Sequence, residues 1–120
     1  MTRTIMTVDD STSMRQMVKA TLQSAGYGVV EAADGQEALD YARENTVDLV
    51  ISDVNMPRMD GITLVLELRS LSTYRLTPLL LLTTESSQEK KMEGKKAGAT
   101  GWIVKPFNPA QLLATLQKLL

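Results

Sequence analysis

Leu49-Val50-Ile51-Ser52-Asp53 is a short apolar run that ends in a carboxylate, and the fold can be read from how often that arrangement recurs. Its core, Leu49-Val50-Ile51, lacks a polar alternate and is too short for a free-standing helix. A strand covered on both faces of a parallel sheet reads this way. Leu79-Leu80-Leu81-Leu82 repeats the pattern before Thr83. Ile5-Met6-Thr7-Val8 before Asp9 and Asp10, and Trp102-Ile103-Val104 before Lys105, are weaker versions. Tyr27 to Ala32, interrupted by Gly28 and Glu31, reads as an edge strand.

Helical patterns fill the intervals. Met14, Val18, Leu22 and Ala25 fall at helical spacing before Gly26. Leu112, Leu113, Leu116, Leu119 and Leu120 make one stripe after Asn108-Pro109, a capping residue followed by proline in the first helical position. Asp34 and Asp60, each followed by glycine, are expected to cap helices carrying Ala38, Leu39 and Ala42, and Val65, Leu68 and Leu71. Ser86 with Glu89 three positions on has the form of a capping box. The helix it would start, Ser86 to Ala97, holds Gly94, four lysines and only Met92 and Ala97 as apolar anchors, which predicts the least stable helix of the chain.

The series of five strand-helix units predicts an α/β fold: a doubly wound, five-stranded parallel sheet with helices on both faces, occupying residues 1–120 as one domain. The expected strand order, 2-1-3-4-5, is one of the two common doubly wound orders and makes the first and third strands neighbours at the switch point. Ligands bind in the crevice beyond the carboxyl ends of such strands. There Asp9, Asp10, Asp53, Thr83 and Lys105 would converge.

Composition narrows the chemistry. The chain has 120 residues, no cysteine and no histidine, so thiolate metal sites, disulfides and imidazole catalysis are excluded, and a phosphohistidine could belong only to a partner. A formal charge of -1 gives no field for sequence-independent nucleic-acid binding; Lys90, Lys91, Lys95 and Lys96 are a local exception and read as a solvated face. Met1 to Ile5 carries one arginine and no long apolar run, and no stretch approaches the roughly 20 apolar residues of a membrane span, so a cytoplasmic protein is expected.

Clustered carboxylates repel unless a cation offsets them. Magnesium suits such a site, because it prefers oxygen ligands and is commonly held by one or two carboxylates with phosphate oxygens. Asp10 and Asp53 are the natural direct ligands, with Asp9 acting directly or through water. Asp53, central and at the end of the most buried strand, is the candidate nucleophile toward phosphorus, with Lys105 neutralising charge and Thr83 donating a hydroxyl.

These residues resemble those of response-regulator receiver domains, and most of all the single-domain chemotaxis receivers. The resemblance rests on Asp9-Asp10-Ser11, on Asp53-Val54-Asn55-Met56-Pro57-Arg58-Met59-Asp60-Gly61 and on Lys105-Pro106-Phe107, and it covers the whole chain. It implies that Asp53 accepts a phosphoryl group from the phosphohistidine of a sensor kinase. Asp9, Asp10, Asp53 and the main-chain carbonyl of Asn55 would arrange magnesium. Lys105 would contact the phosphoryl oxygens, Thr83 would turn inward to bond one of them, and Trp102 would follow, although the family more often has Tyr or Phe there. Asn55 and Glu85 would border the water that removes the phosphoryl group, and the Lys105–Pro106 peptide would be cis. The face made by the fourth helix, fifth strand and fifth helix would bind partners, and the partners implied for the chain are a CheA-like histidine kinase, a flagellar motor switch protein and a phosphatase. The chain would act as a monomer with no chemistry beyond its own phosphorylation and dephosphorylation, in chemotaxis or else as a phosphate sink or relay intermediate.

Two other classes compete. A magnesium-dependent phosphohydrolase with Asp53 as nucleophile would generally want a second acid where this chain has Asn55, and a cap to shield its substrate. A flavin module could use Ser11-Thr12-Ser13 at a phosphate, but Asp9 and Asp10 would repel it. Taken singly, each site residue also has a plain reading: Asp9 and Asp10 as turn residues, Thr83 bonded to backbone, Lys105 on the surface, Trp102 in the core. The set is what argues for a site.

Overall fold

The computed structural model describes residues 2–120, so Met1 of the N-terminal stretch read above lies outside them. Five parallel strands, β1 (Thr4–Val8), β2 (Gly28–Ala32), β3 (Leu49–Ser52), β4 (Leu79–Thr83) and β5 (Gly101–Val104), form one sheet in the order β2-β1-β3-β4-β5. Helices α1 (Thr12–Ser24), α2 (Gly35–Glu44), α3 (Gly61–Arg69), α4 (Gln88–Ala97) and α5 (Pro109–Leu119) alternate with them. The doubly wound sheet expected from the sequence is therefore the observed fold.

Alternation along the strands divides the core. Ile5, Leu49, Ile51, Leu80 and Leu82 meet Val18 and Leu22 of α1 and Leu112 and Leu116 of α5. Met6, Val8, Val50, Leu79 and Leu81 meet the other face, where Ala38, Leu39, Ala42, Leu64, Val65 and Leu68 come from α2 and α3. Because both faces are covered, β3 and β4 need apolar side chains at successive positions, which explains their uninterrupted runs.

The caps set where each helix begins. Asp34 accepts the Glu37 N–H at 2.9 Å, Asp60 that of Thr63 at 2.7 Å and Asn108 that of Gln111 at 3.1 Å, as their positions in the sequence imply. The fourth helix departs from expectation. Its cap is Ser87, whose Oγ accepts from Lys90 N–H at 3.2 Å, and Ser86 with Glu89 forms no capping box. The Glu85 carboxylate accepts the Ser87 N–H and the Glu85 carbonyl accepts the Trp102 indole N–H, which ties down the segment before Gln88 and delays the helix start.

Met92 is also not an anchor; it is 57% exposed, and Gly94 is the one buried residue of α4. Two residues of helix turn the chain by about 200°, so a helix seated on Gly94 must present Met92 to water. A Cβ at position 94 would stand 3.0 Å from both Leu81 Cδ1 and Trp102 Cζ3, so the missing side chain is what lets the indole lie against the helix. With so little apolar burial, α4 is expected to exchange its amide hydrogens well before α5, which buries Leu112 and Leu116. Equal protection of the two helices in native-state exchange would refute this.

Candidate functional site

The ladder of the sheet delivers the polar residues to one edge. Val8 pairs with Ser52, so the next residues, Asp9 and Asp53, emerge side by side, and the Asp53 N–H extends the ladder to the Val8 carbonyl at 2.9 Å. Thr83 pairs with Val104, and the Lys105 N–H bonds the Thr83 carbonyl at 2.8 Å, which launches Lys105 from the same rim.

Asp9, Asp10 and Asp53 each present a carboxylate oxygen within 4.8 Å of the others. Their burial is graded: Asp9 is 4% exposed, Asp53 intermediate and Asp10 open to water. The Lys105 ammonium lies 3.0 Å from Asp9 Oδ2 and 3.4 Å from Asp53 Oδ2, reaching back across the crevice from the other side. One cation against three carboxylates leaves the cluster net negative. Oxygen-only donors, excess negative charge and an open outer side fit a hard divalent ion such as magnesium, which keeps part of its water shell.

Hydrogen bonds fix the inner carboxylates. Asp9 Oδ1 accepts the Ser11 N–H at 2.9 Å and its main-chain carbonyl accepts from Arg15 Nη1 at 2.6 Å. Asp53 Oδ1 accepts the Val54 N–H at 2.7 Å, and Ser52 Oγ donates to the Asp53 carbonyl at 2.8 Å. The Lys105–Pro106 peptide is cis, as the family resemblance implied.

Thr83 is fully buried, and its Oγ1 accepts the Glu85 N–H at 3.2 Å. Trp102 is partly buried against Leu81 and Gly94, and its Nε1 donates to the Glu85 carbonyl at 2.9 Å. The indole thus joins β5 to the start of α4. Glu85 turns its carboxylate to the Ser87 N–H, and that bond holds its pKa below the usual value. Asn55 is exposed on the loop after β3. Among the described residues, no hydrogen bond links the side chains of Asn55 or Glu85 to the acidic cluster. The structure therefore brings Asp9, Asp10, Asp53 and Lys105 into one group, sets Thr83 on the same rim, packs Trp102 against α4, and leaves Asn55 and Glu85 at the site's margin.

Sequence reading missed three residues that shape this rim: Ser52, Arg15 and Arg58. Ser52 and Arg15 bond main-chain carbonyls, which every residue type offers, so no pattern announces them. Arg58 pairs with Asp34, 24 positions away, across a contact that exists only once α2 and the β3–α3 loop are adjacent.

The family model of the response regulator receiver domain matches residues 5–117. The chain belongs to that family. Receiver domains are phosphoacceptor regulators that bind magnesium at an acidic pocket and work with a histidine kinase and a downstream effector. This receiver is 57% identical to the chemotaxis protein CheY4 of Vibrio cholerae, with both chains covered completely and a TM-score of 0.95. It is 29% identical to the receiver domain of the sensor histidine kinase PA1611 from Pseudomonas aeruginosa, covering 99% of this chain and 98% of that one with a TM-score of 0.92; that structure has magnesium coordinated in its active-site cleft. The transcriptional regulatory protein SrrA of Staphylococcus aureus is 34% identical over all 120 residues, and the receiver spans about half of that relative's length, 48%. Among the described residues, no helix is long and apolar enough to cross a membrane.

Proposed function

We propose that this receiver is the phosphoacceptor of a two-component phosphorelay, with Asp53 as the residue that takes the phosphoryl group. The supporting observation is the Lys105 ammonium, 3.0 Å from Asp9 and 3.4 Å from Asp53, on the inner side of a three-carboxylate cluster. An oxygen of the Asp53 carboxylate attacks phosphorus as the bond from phosphorus to the kinase imidazole nitrogen breaks, and the imidazole leaves to take up a proton. Asp9, Asp10, Asp53 and the main-chain carbonyl of Asn55 would hold magnesium, which supplies neutralisation of the phosphoryl charge. Lys105 is already placed to move from carboxylate to phosphoryl oxygens. Water then attacks phosphorus, the bond from phosphorus to the Asp53 oxygen breaks, and inorganic phosphate leaves with the Asp53 carboxylate regenerated, Asn55 and Glu85 bordering the approach; no other turnover is expected.

The switch is a population shift. A phosphoryl group favours whichever state offers it an extra donor, and the Thr83 hydroxyl, now an acceptor from the Glu85 N–H, is such a donor. Glu85 also holds Trp102, so a movement of Thr83 is passed to the indole and to α4.

The extent and identity of the match to CheY4 support a role in chemotaxis, with a CheA-like kinase, a flagellar motor switch protein as target, a phosphatase, and a cytoplasmic monomer as the working form. The SrrA match supports a second reading, in which the receiver governs a transcriptional output.

Intact mass after exposure to acetyl phosphate, with and without magnesium, tests the acceptor. Wild type should gain one phosphoryl group only with magnesium, with a change in Trp102 emission, and Asp53→Asn should gain none. An adduct of equal yield in Asp53→Asn would exclude Asp53 as the acceptor.

A further inference from the structure

Arg58 lies in the loop that joins Asp53 to α3, and it is the one residue other than glycine with a positive φ among the described residues, at 66°. Left-handed backbone is readily adopted by glycine and, among side-chain-bearing residues, mainly by asparagine and aspartate. An arginine there accepts an unfavourable backbone conformation while its side chain makes a long-range pair. Its guanidinium grips Asp34 with two bonds, Nε to Oδ2 at 2.9 Å and Nη2 to Oδ1 at 3.0 Å. Asp34 is simultaneously the cap of α2, accepting the Glu37 N–H at 2.9 Å. A bidentate pair of this kind fixes orientation as well as distance.

The same loop touches α2 a second time through backbone. A Cβ at Gly35 would stand 2.7 Å from the Met59 carbonyl oxygen, so the glycine admits the loop against the helix start. At its inner end the loop leaves Asp53, and at its far end Gly61 packs directly on the Asp53 carbonyl. Asn55 thus sits on a span with both ends fixed, and the outer fixing point is the Arg58–Asp34 pair.

We infer that Arg58, braced on Asp34, is a positioning residue for the phosphoryl site, holding in place the β3–α3 loop that carries Asn55 away from Asp53. This rests on the reading of that cluster as the magnesium and phosphoryl site. Arg58 touches neither the carboxylates nor Lys105; it acts through the loop. Arg58→Asn tests it, because asparagine tolerates the left-handed backbone and removes only the clamp. Asp34→Asn is the complementary change, because an amide oxygen still caps α2.

The Arg58 side chain is 61% exposed, so in the metal-free protein each variant should raise amide exchange over residues 55–60 by about two- to fivefold while leaving α5 unchanged. Magnesium affinity, followed by Trp102 fluorescence, should fall about three- to tenfold, and the double variant should fall no further than either single one. Lifetime of the phosphoryl adduct should change in both variants alike. Exchange and magnesium affinity equal to wild type in Arg58→Asn would overturn the assignment. Additive losses would also overturn it, since the two residues would then act separately. Failure of wild type itself to bind magnesium would overturn the reading of the cluster as well, and is distinguishable because it needs no variant.

Discussion

Gly61→Ala should cost the protein about 3 kcal/mol or more of stability and cut its capacity to accept a phosphoryl group. The added methyl would collide with the Asp53 carbonyl oxygen, stand 2.9 Å from the Asp53 carbonyl carbon and 3.1 Å from Leu81 Cδ2. Backbone at the end of a strand between two others cannot retreat as a flexible side chain can, so the upper part of the range for overpacked cores applies. The glycine is needed for close approach and not for its dihedral, since position 61 is not among those with positive φ. Gly61 also donates its N–H to the Val54 carbonyl at 2.8 Å, so a shift of α3 to admit the methyl would loosen the turn that carries Asp53. Denaturant midpoints and phosphoryl uptake measured on the same sample check both effects. An unfolding free energy within about 0.5 kcal/mol of wild type would show that the helix start can move without cost.

Legibility of the sequence followed the type of atom involved. The strands could be read because a sheet covered on both faces demands side chains of one kind at successive positions, as in Leu79 to Leu82. Asp9, Asp10, Asp53, Thr83 and Lys105 could be read because polar groups directly after such strands reach the same rim. The start of α4 could not, because it is decided by the Trp102 indole bonding a carbonyl 17 positions earlier. Serine stands at both 86 and 87, and the sequence pattern alone does not choose between them.

Arg69 is a second case of the same limit. Its guanidinium collects the carbonyls of Gly98, Tyr74 and Thr77 at 3.0, 2.7 and 2.7 Å, joining the end of α4 to the loop before β4. In the sequence it is one more basic residue in the last turn of a helix. Met92 misled for the opposite reason: apolar character suggested an anchor, but the helix rests on the residue with no side chain at all.

Lys105→Met should separate two properties that ordinarily move together, lowering the stability of the metal-free protein while tightening its hold on magnesium. The substitution keeps most of the aliphatic stem and removes the ammonium that stands 3.0 Å from Asp9 and 3.4 Å from Asp53. Asp9, almost wholly buried, is left with the Ser11 N–H as its remaining hydrogen-bond donor and with Asp10 and Asp53 as repelling neighbours. Breaking such a pair costs about 2–3 kcal/mol, below the full range for deep burial because Asp10 opens the cluster to water. The same loss makes the cluster more negative and removes a competitor for Asp9 Oδ2, so a divalent cation gains more by binding. Added magnesium should accordingly raise the unfolding midpoint of Lys105→Met by more than it raises that of wild type. Phosphoryl uptake should nevertheless fall, because the cation expected to follow the phosphoryl oxygens is gone. Equal magnesium-dependent shifts in the two proteins would mean that Lys105 and the metal do not share the carboxylates, and the 3.0 Å pair with Asp9 would then be a structural bond alone.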